Sequence, residues 1–114
     1  MLSNLIIAFK QYQEAAQKTA QYPKQVVWAY LGLGLTGEAG EVANKIKKAY
    51  RDNGGYLTPE AKEAILDELG DCLWYISQIT TELGEDLARV ANRNIHKLQS
   101  RQSRGKIGGS GDNR

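Results

Sequence analysis

Two short stretches of this chain repeat one pattern. The first is Glu38-Ala39-Gly40-Glu41 and the second is Glu68-Leu69-Gly70-Asp71. Each sets two carboxylates three residues apart, with a glycine before the second. Residues three apart share one face of a helix. Both stretches lie in strongly helical sequence beside matching apolar stripes. Leu35, Val42, Ile46 and Ala49 flank the first pair, and Ile65, Leu69, Cys72 and Ile76 flank the second. Two helices packed through those stripes would bring the pairs face to face across the seam.

Four carboxylates in one place need relief. At an effective dielectric of about 20, like charges roughly 4 Å apart repel by about 4 kcal/mol. Protonation or a cation removes that cost. An all-carboxylate cluster suits a hard, oxygen-seeking ion, Mg²⁺ or Mn²⁺ before Zn²⁺. A single Glu-x-x-Glu is common as a solvated pair on a helix surface. Two copies beside matching stripes favour the metal reading.

At 114 residues the chain reads as one domain with a small core, for which an oligomer would provide extra burial. Fifteen basic residues face thirteen acidic ones, for a net charge of +2. Residues 101–114 carry four basic groups and one acidic group, so the remainder of the chain is slightly negative. That distribution argues against a nucleic-acid-binding body. The one cysteine, Cys72, precludes an internal disulfide, is compatible with a reducing cytoplasm and falls on an apolar helix face as a small packing residue. The apolar run Leu5–Phe9 is too short to span a membrane, and no basic residue precedes it as in a signal peptide.

The periodicity predicts four helices. The first covers residues 3 to about 20, capped by Ser3, with Leu5, Phe9, Tyr12 and Ala16 as its stripe. Tyr22-Pro23 breaks it. The second runs from about Val26 to Arg51, although Gly32, Gly34, Gly37 and Gly40 each cost about 1 kcal/mol inside a helix. Either that helix starts near Thr36, or the glycines permit close backbone approach; one long helix is the preferred reading. After a turn at Gly54-Gly55, Thr58-Pro59-Glu60 supplies a cap, a first-position proline and a first-turn acid for the third helix. Gly84 ends it near Leu83. Asp86 is the expected cap of the fourth, whose stripe is Leu87, Val90, Ala91, Ile95 and Leu98. No alternating strand pattern occurs, so the class is all-α. The domain spans residues 1–104, and residues 105–114 form a glycine-rich tail without periodicity.

Basic residues accompany the acids. Lys45 and Lys48 continue the stripe of Glu38 and Glu41, and a second row is Asn94, Lys97, Arg101 and Arg104. A chelated metal with basic rows nearby suits a polyanion such as a Mg²⁺-bound triphosphate. Lys45 four residues after Glu41 also fits an ordinary helix ion pair, and basic residues near a helix C-terminus are favourable on their own.

The run Gly-Glu-Ala-Gly-Glu-Val-Ala-Asn-Lys-Ile-Lys-Lys, then Glu-Leu-Gly-Asp-Cys-Leu-Trp-Tyr, then Asn-Ile-His-Lys-Leu resembles the MazG-like nucleoside triphosphate pyrophosphohydrolases. The order matches that family's Glu-x-x-Glu, variable insert, Glu-x-x-Asp pattern, and the resemblance covers about Trp28 to Arg104. It implies a four-helix bundle assembled as a homodimer or a dimer of dimers. It implies that Glu38, Glu41, Glu68 and Asp71 bind Mg²⁺, and that Asn94, Lys97 and Arg101 bind the triphosphate. The implied reaction yields the nucleoside monophosphate and pyrophosphate. One of the four acids would take a proton from the attacking water; Glu41, then Glu38, are the candidates, and the spacing does not choose. Tyr75, one turn beyond Asp71, and Trp28, about three turns before Glu38, are candidates for the base. Trp74 points further round its helix toward packing, and His96 reads as a surface or interface residue.

The leading expectation is a Mg²⁺-dependent enzyme clearing unwanted nucleotides, with no nucleic-acid or membrane partner. A dUTP- or dCTP-selective member is the alternative within the class. A non-catalytic helical module binding nucleotide or protein is the alternative outside it.

Overall fold

The computed structural model of the chain describes residues 8–114. Among these it contains four α-helices and no strand: α1 (Phe9–Gln17), α2 (Val27–Asn53), α3 (Pro59–Glu82) and α4 (Leu87–Ser103). A short 3₁₀ turn, Lys24–Val26, leads into α2. The long pair α2 and α3 forms the main packed unit; α1 lies on α3, and α4 touches α1 and α3. α2 and α4 do not pack against each other. No helix of the described residues is long and apolar enough to cross a membrane.

The turns follow their residue types. Gly54 ends α2 at φ +60°, and the Gly55 N–H returns to the Ala49 carbonyl at 3.0 Å. Gly84 follows α3 at φ +73°, with the Glu85 N–H on the Thr80 carbonyl at 3.1 Å. Thr58 caps α3, its Oγ1 accepting from the Ala61 N–H at 3.0 Å, with Pro59 first in the helix.

Two local expectations change, and one cannot be compared. The cap at Ser3 and the stripe residue Leu5 lie outside the described residues. α1 stops at Gln17 rather than near residue 20, because the Thr19 N–H and hydroxyl both turn back onto the Ala16 carbonyl, at 3.0 and 2.7 Å. Asp86 makes no side-chain cap for α4. Gln13 of α1 does so instead: its Oε1 accepts from the Leu87 N–H at 2.8 Å. The Gln13 amide also donates to Thr81 Oγ1 at 3.0 Å and to the Glu85 carbonyl at 2.9 Å. One side chain thus ties α1, the end of α3 and the start of α4 together.

Among the described residues the enclosed core is small: Ala16, Tyr22, Leu31, Ala49 and Leu87 are its buried apolar residues, joined by Ser77, Gln78 and Thr80 of α3. Leu69 and Ile76, expected on the α3 stripe, are exposed, because α3 turns this polar face inward. Val90, Ile95 and Leu98 of the α4 stripe are likewise exposed. So are Trp28, Leu33 and Leu66 on the helix pair.

Candidate active site

α2 remains helical through all four of its glycines. Only Gly34 is in close quarters: a Cβ built there would meet the Tyr75 ring at 2.2 Å, whereas Gly32, Gly37 and Gly40 face open space. The missing side chain lets α3 lay Tyr75 on the α2 backbone one turn before Glu38. This contact helps set the register that brings the acids together.

Glu38 from α2 and Glu68 and Asp71 from α3 offer carboxylate oxygens that all lie within 4.8 Å of one another. Glu38 and Glu68 are half-buried and Asp71 is exposed. Glu41 stands outside this group on the exposed side of α2. Glu38 is held above the usual carboxylate range, first by a hydrogen bond with Glu68, then by burial and by the charges of Asp71, Glu68 and Glu41. The Cys72 thiol is pushed up by burial and then by Glu38, Asp71 and Glu68. It is half-buried, next in the chain to Asp71. Lys45 reaches Glu68 at 3.5 Å, the one cation in contact with the acids among the described residues. Three hard oxygen donors at this separation fit a small divalent ion better than they fit one another.

Tyr75, lying over Gly34, feels the charges of Glu38 and Asp71. Its hydroxyl is raised by burial, then by Tyr30 and by the charge of Glu38. Tyr12 of α1 also feels the cluster, its hydroxyl raised by burial and then by Asp71. Tyr12 stands on a different helix from the acids, and the meeting of Tyr30 with Tyr75 is made by α2–α3 packing, which local spacing does not show. Trp74 packs: its Nε1 donates to Thr19 Oγ1 at 2.8 Å, and its ring stands edge-on to Tyr22 and Tyr75. Trp28 is exposed near the start of α2, ten residues before Glu38.

The basic candidates divide. Lys45 and Lys48 line a shallow cleft of about 220 Å³ between the end of α2 and the start of α3, with Asp52, Asn53 and Tyr56. Asn94, Lys97 and the exposed His96 line an open groove on α4. Among the described residues no ion pair joins the α4 row to the acids, and α4 makes no packing contact with α2. Arg101 is buried, 4% exposed, and its Nη2 donates to the Asp112 carbonyl at 2.9 Å. Arg104 donates to the Arg114 carbonyl at 3.0 Å.

Comparison with known proteins identifies the family. The family model for the MazG nucleotide pyrophosphohydrolase domain matches residues 29–105, which include both acid pairs and the α4 row. The Gene 37 protein of Mycobacterium phage L5 is 48% identical over 109 residues, covering 90% of this chain and 96% of its own length. No solved structure gives a significant match. The chain therefore belongs to the MazG nucleotide pyrophosphohydrolase family.

Proposed function

We propose that the protein is a divalent-metal-dependent hydrolase that cleaves nucleoside triphosphates between the α- and β-phosphates, releasing monophosphate and pyrophosphate. The observation that carries this reading is the convergence of Glu38, Glu68 and Asp71 across the α2–α3 seam, in a member of this family. These three would hold Mg²⁺, or Mn²⁺, with Glu41 one turn away. Such an ion would supply positive charge to the phosphates and acidity to a water.

The remaining work falls to the chain. Glu41 has its carboxylate outside the converging group and exposed, which suits it to accept the proton of the attacking water. Glu38, hydrogen-bonded to Glu68, is the second candidate. Lys45, in contact with Glu68, and Lys48, which lines the adjoining cleft, are suited to a phosphate close to the reacting phosphorus. Tyr75, stacked over Gly34 next to Glu38, is suited to the face of the base. Trp28, exposed at the start of α2, would complete the base site only from a neighbouring surface.

Asn94, Lys97, Arg101 and Arg104 are assigned to the outer phosphates. Their separation from α2 supports a homodimer, or a dimer of dimers, in which α4 of a second copy closes the site. The exposed Val90, Ile95 and Leu98 give α4 the apolar surface for that contact. The domain would comprise residues 1–104, with 105–114 as an appended segment, and would act in a Mg²⁺-containing, reducing compartment such as the cytoplasm. A screen of the common NTPs and dNTPs with Mg²⁺ tests the reading. Monophosphate and pyrophosphate from at least one of them support it, and preference for dUTP or dCTP would define a selective member. No turnover of any of them with Mg²⁺ or Mn²⁺ would refute it.

A further inference from the structure

Residues 105–114 do not trail away from the helices. Gly105, Gly109 and Gly111 adopt φ of +67°, +90° and +86°, and the chain doubles back along α4. The Lys106 N–H begins the return on the Arg101 carbonyl at 2.6 Å. Arg114 then closes the segment on itself, donating to the carbonyls of Gly111 and Ile107. The return places Asp112 between two cations: its Oδ1 lies 3.4 Å from Lys97 Nζ and 3.4 Å from Arg101 Nη2. Two cationic side chains converging on one anionic oxygen form an anion site, here filled by the chain's own carboxylate.

We propose that the 105–114 segment is an internal occupant of the phosphate-binding face of α4, in which Asp112 holds the position of a phosphate oxygen and is displaced by an incoming polyphosphate. This rests on the reading of the α4 row as the outer-phosphate site. Three observations support displacement. The Asp112 side chain is 86% exposed and that of Lys97 43%, so their ion pair is open to water and weak. The segment is exposed almost throughout, Ile107 included, so no apolar burial fastens it. Arg101 is buried, yet its Nε has no hydrogen-bond partner among the described residues, so the segment leaves part of the guanidinium unsatisfied. A polyphosphate brings more charge and more acceptor oxygens to the same groups.

The experiment is calorimetric titration of the full chain with inorganic tripolyphosphate in metal-free buffer, for the native protein, Asp112→Asn and Lys97→Ala. In parallel, the amide resonances of Gly108, Gly109 and Gly111 are followed in the native chain as tripolyphosphate is added. Removing the competing charge should tighten binding by about two- to fivefold, the equivalent of one exposed ion pair. The glycine amides should move to shifts and linewidths of a mobile segment at saturation. Unchanged or weaker binding by Asp112→Asn, or glycine amides that stay in place at saturation, would overturn the proposal. Undiminished binding by Lys97→Ala would instead remove the assignment of the α4 row, and the proposal with it.

Discussion

Glu38 carries a proton more readily than an ordinary glutamate because Glu68, across the helix seam, shares a hydrogen bond with it. A divalent cation reverses that preference, so metal and proton compete for the same oxygens. Glu41→Gln, Glu68→Gln and Asp71→Asn are each expected to lower turnover by about 10²–10³-fold, the range for loss of one electrostatic group at a reacting centre. All three should keep the native far-UV circular dichroism, and Glu68→Gln should raise the metal-free Tm by relieving like-charge crowding. Near-normal rates with Mg²⁺ in two of the three would contradict the assignment. Gly34 belongs to the same scale. Gly34→Ala puts a methyl 2.2 Å from the Tyr75 ring, an overlap that ring movement must relieve. The expected loss of stability is about 1–3 kcal/mol, measured by urea unfolding, and a variant as stable as the native chain would contradict the close approach.

At the scale of elements, the link between α1 and α2 is held by Glu82 near the end of α3. It accepts from the Tyr22 hydroxyl and from Lys24 at 3.2 Å, and these bonds hold its carboxyl below the usual range. A depressed folded-state pKa adds stability that is present above the ordinary carboxylate pKa and is lost as pH falls through the lower folded value. Glu82→Gln should therefore lower Tm at neutral pH and make Tm less sensitive to pH on the acid side. A Tm–pH profile that parallels the native one would contradict the clamp. The helix spans were legible because glycine and proline punctuate them: Gly54, Gly84 and Thr58-Pro59 act as their residue types suggest. The expected meeting of two acid pairs was legible in part: one helical face repeats in both copies and brings Glu38, Glu68 and Asp71 together, whereas Glu41 stands outside the group. The cap of α4 was not, since Gln13 reaches it from 74 positions away, and local spacing carries no trace of such a bond. The inward polar face of α3 was hidden for a related reason: Ser77, Gln78 and Thr80 are buried by neighbours distant in sequence.

For the whole molecule, the described residues enclose a small core and leave many large apolar side chains exposed, a surface that association of copies would bury. A homodimer or dimer of dimers is expected at micromolar concentration, and sedimentation showing a stable, active monomer would contradict it. In the reading proposed above, the acids of α2 and α3, Lys45, Lys48 and the α4 row would serve one chemical event, attack at the α-phosphorus with pyrophosphate leaving. Product analysis of a triphosphate substrate hydrolysed in ¹⁸O-labelled water tests that event directly. The account predicts monophosphate carrying the label and unlabelled pyrophosphate; diphosphate and orthophosphate as the main products would contradict it.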